Sequence, residues 1–153
     1  MKRIILLVVV LVLLLCSCAK QSATEVETEF SFRGHKFGDS LEEVIEREGR
    51  EPYDKSESQA GFGLEDYFGY DCFAYFKFEN DELYRINITS ISEPNSLNVN
   101  SVYKEFLQNF GEYGEPDKII KKSDIVAVWI KGDYGIQLIV TVGYFRVAME
   151  RTE

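Results

Sequence analysis

Hydrophobic positions divide the chain into three regimes. Residues 4–15 are an unbroken apolar run, residues 19–29 are polar and acidic, and from Phe30 onward apolar residues recur at helical or strand spacing. After Gly38, Ser40 and Glu43 have the spacing of a capping box, and Leu41, Val44, Ile45 and Glu48 fall on one helical stripe, apolar except at its last member. Gly49 offers a left-handed stop and Pro52 prevents resumption, so a helix of about two turns is expected. From about Gly61 the period changes to two. Strands are expected at about 62–68, 72–78 and 83–91, parted by Gly69-Tyr70-Asp71 and Glu79-Asn80-Asp81-Glu82.

In the third of these strands Tyr84, Ile86 and Ile88 point one way and Arg85, Asn87 and Thr89 the other, which gives a buried face and a wet face. The stretch 92–96, SEPNS, breaks the sheet. Val99, Val102, Tyr103, Phe106, Leu107 and Phe110 then repeat at three and four, predicting a second helix of about four turns that ends before Gly114 and Pro116. An edge segment near 118–121 follows, then strands at about 125–130, 134–141 and 144–149, with turns at Lys131-Gly132-Asp133 and Val142-Gly143. Helix, glycine, proline and strands thus occur twice, with Pro52 and Pro116 standing 64 residues apart. The expected fold is α+β: one domain over 30–153 made of two tandem helix-plus-antiparallel-meander units, about 33–92 and 97–153, with both helices on one sheet face.

The apolar run at the start is about a dozen residues, whereas a helix crossing the hydrocarbon core needs about 20. Lys2 and Arg3 before it make it the core of an export signal. Leu15-Cys16-Ser17-Cys18 resembles the lipobox of bacterial lipoproteins, with an aliphatic residue three places before the modified cysteine and a small one just before it. The resemblance implies a signal peptide over 1–17 and lipidation of Cys18. A secretory signal cut after Ala19 and an uncleaved anchor are the alternatives; Ser17 and the polar Lys20-Gln21-Ser22 favour cleavage before Cys18. Ala19 is not the aspartate associated with inner-membrane retention. The expected location is therefore extracytoplasmic and lipid-anchored, on the outer membrane of a two-membrane cell or the outer face of a plasma membrane. Residues 18–29 then serve as a lipidated N-terminus and flexible tether, too polar to offset chain entropy by packing.

Loss of 17 of the 153 residues leaves 136, enough for one domain with a core. It also takes away Lys2 and Arg3 but no acid, so the net charge moves from -9 to -11. Such a surface repels phosphate backbones, which makes nucleic acid an unsuitable partner, and leaves attachment to the bilayer to the acyl chains.

Candidate chemistry is sparse. His35 is the only histidine, so neither a Ser-His-Asp triad nor a zinc site of the usual His and Cys type has its ligands. Gly61-Phe62-Gly63 lacks the third glycine of a phosphate loop. Glu42, Glu43, Glu46 and Glu48, and Glu79, Asp81 and Glu82, read as a solvated helix face and a polar turn rather than a glycosidase pair or calcium loop. Cys72, the one thiol left after processing, has no base beside it in sequence and reads as a small buried hydrophobe. No catalytic residue, metal or cofactor is expected.

Gly38-Asp39-Ser40-Leu41-Glu42-Glu43-Val44, with Gly49 and Pro52 after it and Gly114-Glu115-Pro116 echoing it, resembles the BamE/SmpA-like small outer-membrane-assembly lipoproteins and the tandem-repeat beta-lactamase-inhibitor-protein fold. The resemblance implies helices packed on an antiparallel sheet whose open face binds another protein. Strand parity nominates that face. With Cys72, Ala74, Phe76 and Phe78 in the core beside Ile86 and Ile88, Phe73 and Tyr75 lie outward with Arg85 and Asn87. With Ile136, Leu138, Val140, Phe145, Val147 and Met149 inward, Gln137, Tyr144 and Arg146 lie outward, and Trp129 sits in a strand apolar on both sides. Aromatic residues and arginine are enriched at interfaces. The competing expectation is that loop 54–60 caps these rings or that they widen the core. Three functions stay open: an envelope module that binds a protein partner, a binder of a glycan or peptide, and a carboxylate-dependent hydrolase.

Overall fold

The computed structural model describes residues 30–91 and 97–152; the signal segment, Cys18 and the tether lie outside them. Ser40 Oγ accepts from the Glu43 N–H at 3.3 Å while the Glu43 carboxylate accepts from the Ser40 N–H at 2.8 Å, so the capping box opens α1 (Leu41–Glu48). Gly49, at φ 66°, closes it in the left-handed conformation that a side chain would disfavour. Four strands follow: β1 (Asp54–Ser56), β2 (Gln59–Tyr67), β3 (Tyr70–Glu79) and β4 (Glu82–Ser90). Asn98 caps α2 (Val99–Asn109), which runs into a 3₁₀ turn at Gly111–Tyr113. Four more strands complete the chain: β5 (Lys118–Lys121), β6 (Ile125–Lys131), β7 (Tyr134–Val140) and β8 (Phe145–Arg151).

All eight strands lie in one antiparallel sheet ordered β1-β2-β3-β4-β8-β7-β6-β5. Each run of four is a meander, and the two meet at their last strands through the β4–β8 pairing, Arg85↔Glu150 to Thr89↔Arg146. The fold of the described residues is therefore α+β, an eight-stranded antiparallel sheet with two α-helices.

One hydrophobic cluster holds the layers together. Val44 of α1 and Val102, Tyr103 and Phe106 of α2 join the inward side chains of the strands: Cys72, Ala74, Phe76 and Phe78 on β3, Ile86 and Ile88 on β4, Ile136, Leu138 and Val140 on β7, and Phe145, Val147 and Met149 on β8. Phe106 lies 5.2 Å edge-on to Phe145, joining helix to sheet. Each Val, Leu, Ile, Phe or Met among them contributes about 1.5–3 kcal/mol on burial. The segment before α1 is fastened to the same layer, with Phe30 stacked on Phe37 at 4.0 Å and edge-on to Tyr134 at 5.3 Å. Among the described residues no helix packs on the other sheet face.

Four local expectations need correction. The 54–60 stretch is not wholly a loop, because Asp54–Ser56 pairs with Gln59–Gly61 as the exposed edge strand β1. The second helix ends at Asn109, since the chain tightens into the 3₁₀ turn before Gly114. Tyr84 does not share the face of Ile86: a bulge opposite Lys77 and Phe78 makes Leu83 the buried residue and leaves Tyr84 half-buried on the other side. Trp129, nominated for the open face, is 1% exposed on the core face, where its indole N–H donates to the Gly114 carbonyl at 2.9 Å.

Candidate functional site

Residues directly opposite one another in an antiparallel pair share a face, so the register lays out the open side in rows across the strands. The middle row runs Asp54, Gly61, Tyr75, Asn87, Ala148, Gln137, Val128 and Lys118. On one side of it lie Gly63, Phe73, Thr89, Arg146, Ile139, Val126 and Ile120; on the other lie Ser56, Gln59, Lys77, Arg85, Glu150, Gly135 and Ile130. Six of the residues nominated by parity thus share this face: Phe73, Tyr75, Arg85, Asn87, Gln137 and Arg146. They occupy four neighbouring strands and so span about 15 Å at the usual strand spacing. Tyr144 is 42% exposed in the turn before β8, where its N–H donates to Thr141 Oγ1 at 3.1 Å.

Three rings form one end of the face. Tyr53 lies edge-on to Phe73 at 5.3 Å and to Tyr75 at 5.8 Å, with Tyr53 52% and Phe73 41% exposed. Gly61 makes this possible, because a Cβ there would stand 3.0 Å from the Tyr53 ring and 3.1 Å from that of Tyr75. Burial and a hydrogen bond with the Tyr75 hydroxyl raise the Tyr53 phenol above its ordinary value. Tyr53 therefore covers part of the sheet yet leaves an apolar surface in contact with water. Parity could not find Tyr53, which precedes the strand that carries it.

The second half of the face is concave. A groove of about 630 Å³ runs over β4, β8 and β7, with Gly135 and Ala148 in its floor and Tyr84, Arg85, Gln137 and Glu150 around it. Small floor residues between longer side chains give the groove its depth. Arg85 is held from two sides: its Nε donates to Asn87 Oδ1 at 3.1 Å and its Nη1 is 3.5 Å from Glu150 Oε2. The groove is of the size that binds small ligands or partner side chains.

Other chemistry-bearing groups lie away from this face. His35, fully buried and edge-on to Phe76 at 4.8 Å, has Nε2 3.0 Å from Glu48 Oε1 and Nδ1 3.3 Å from Arg47 Nη1. Arg47 only donates and Glu48 only accepts, so a hydrogen on Nε2 satisfies both contacts. Arg33 and Arg50 also reach Glu48, at 3.3 and 3.4 Å, and Arg47 pairs with Asp39. Burial works to raise the Glu48 carboxyl, but the His35 hydrogen bond and the positive charge of Arg33 outweigh it and leave it below its ordinary value. The cluster ties the segment before α1 to the end of that helix. Cys72 is buried at the other end of β3, where desolvation pushes its thiol up to about 12. Among the described residues no group of three or more His, Cys, Asp or Glu side chains is placed to hold a metal ion, and no helix is long and apolar enough to cross a membrane.

No protein-family model matches the sequence, and no curated protein matches it. Among solved structures, the fold is similar to the crystal structure of a DUF4309 family protein, YjgB, from Bacillus subtilis subsp. subtilis str. 168. The TM-score is 0.51 at 15% sequence identity, covering 81% of this chain and 88% of that one, a likeness of fold alone.

Proposed function

We propose that the protein is a membrane-anchored bacterial lipoprotein whose open sheet face binds another protein of the cell envelope, without catalysis. One observation carries the reading. Phe73 and Tyr75 with Tyr53, and Arg85, Asn87, Gln137 and Arg146, lie side by side on the sheet face that no helix of the described residues covers. Exposed rings and arginines on a contiguous surface are the composition of interface hot spots. In this reading Cys18 carries the lipid, residues 18–29 are the tether, and the acyl chains hold the domain at the bilayer, where it meets neighbours at raised effective concentration. The repeated order of helix and four strands further supports two tandem units arranged as in the beta-lactamase-inhibitor-protein fold.

The test is replacement of Phe73 and Tyr75 together by serine, followed by crosslinking in native membranes and identification of the captured protein. The variant is expected to melt within about 8 °C of the parent, since both side chains face water in part, and to lose capture of the partner. Unfolding of the variant, or capture at the parental level, would refute the assignment. Lipid labelling that persists in Cys18→Ala would separately remove the anchor from the proposal.

The groove of about 630 Å³ favours a second reading, a site for a small or extended ligand such as a glycan or peptide. Ala148→Leu distinguishes the two, because it fills the groove floor and leaves the three rings untouched. Capture of the protein partner that survives this change while binding of an oligosaccharide or peptide is lost would favour the second reading.

A further inference from the structure

Arg146 is the exception among the described arginines. Arg33 and Arg50 pair with Glu48, Arg47 with Asp39, Arg85 with Glu150 and Arg151 with Glu82, whereas Arg146 has no carboxylate partner among the described residues. In a chain of net charge -9, with 26 acids against 17 bases, such isolation is unusual. Its place on the open face makes it more so. Arg146 lies between Thr89 and Ile139 in the row that begins with Gly63 and Phe73 and ends with Val126 and Ile120, and that row contains no acid. Across the three central rows, Lys77, Arg85, Arg146 and Lys118 face only Asp54 and Glu150, and Glu150 is engaged by Arg85. Glu79 and Glu82 stand at the rim beside the β3–β4 turn.

Resting on the protein-binding reading above, we infer that the occupant of the open face is an acidic segment of a partner protein, with a carboxylate set on Arg146 and apolar residues on either side of it. One flank meets Phe73 about 10 Å away and the other meets Ile139, Val126 and Ile120 within about 15 Å, distances set by the spacing of strands. Ile120 is 44% exposed, so this aliphatic strip is open to a partner. The guanidinium suits a carboxylate because its planar fork donates two parallel hydrogen bonds, which a lysine cannot reproduce. Face-to-face packing of a second copy would set these same basic residues against each other, which disfavours a symmetric dimer through this face.

The test is panning of the full chain in detergent against a display library of random 12-residue peptides. Selected sequences should carry aspartate or glutamate flanked by leucine, isoleucine or phenylalanine. Their affinity should fall at least thirtyfold in Arg146→Glu, several-fold in Arg146→Lys, and about tenfold between 50 and 500 mM salt. Because Arg146 is exposed, the melting midpoint should stay put, and Arg146→Gln serves if charge reversal unfolds the chain. Selected peptides that are not acidic, or that ignore Arg146→Glu while being lost in the Phe73→Ser, Tyr75→Ser double variant, overturn the acidic partner and spare the binding face. Peptides indifferent to both sets of changes, or no selection at all, overturn both. Dimerisation through this face in sedimentation, abolished by Arg146→Glu, overturns the foreign partner.

Discussion

Glu48 shows how one carboxylate can fix a segment of chain. It is the single acid on the apolar stripe of α1, and it is buried because His35, Arg33 and Arg50 converge on it. Its folded carboxyl sits below the ordinary value of 4.5. In acid the unfolded chain therefore binds a proton before the folded one does. The contribution to stability is complete above about pH 4.5 and drains away as pH falls through the folded value. Urea titrations between pH 6 and 3 should thus show an acid limb in the parent that flattens in Glu48→Gln, and an equally steep limb in that variant would remove the cluster from the account. Glu48→Ala should cost about 1–3 kcal/mol, because the buried His35 ring loses its acceptor while the Arg33 and Arg50 guanidiniums remain in contact with water. The His35 ring itself is closed in by Phe76, Glu48 and Arg47.

At the scale of elements, Gly61 couples an edge hairpin to the candidate face. An added methyl at 3.0 Å from the Tyr53 ring and 3.1 Å from Tyr75 forces one ring aside. Gly61→Ala should lower stability by no more than about 1–3 kcal/mol, as overpacking does, while changing the ring-current shifts of Tyr53 and Tyr75 in NMR spectra and weakening partner capture. Unchanged shifts would mean that the Tyr53 ring does not lie over the strand. The helices were legible in the sequence because their signals are local: Ser40, Glu43 and Gly49 act within one turn of chain. Strand parity was legible on β3, β7 and β8, where every second residue is apolar and one or more of the residues between, such as Lys77, Gln137 and Arg146, is polar. It failed at Tyr84, where a bulge resets the alternation by one residue, and at Trp129, where Val126 and Val128 make the water-facing side of β6 as apolar as the core side. β1 gave no pattern because Asp54, Lys55 and Ser56 are all exposed. The groove depends on neighbours brought together from β7 and β8, so Gly135 and Ala148 carried no signal in the linear chain.

For the molecule as a whole, the question is whether the two meanders are one folding unit or two. Among the described strands they pair through β4 and β8, and the buried side chains of both belong to one continuous cluster, with Phe30 from the first half packed on Tyr134 in the second. The candidate face straddles the same seam, with Tyr53 and the β3 rings Phe73 and Tyr75 in one meander and Gln137 and Arg146 in the other. A face built this way exists only when both halves are docked. Two native reporters lie on opposite sides of the seam: Cys72, buried on β3 with a thiol pushed up to about 12, and Trp129, buried on β6. In a urea titration, Trp129 fluorescence and the reaction of Cys72 with a thiol reagent should report the same midpoint, with a slope of about 1–3 kcal/mol per molar urea. If Trp129 loses its native signal while Cys72 stays protected, the meanders unfold separately and the seam is a domain interface. Coincident midpoints mean instead that any change loosening the β4–β8 pairing removes the core and the binding face together.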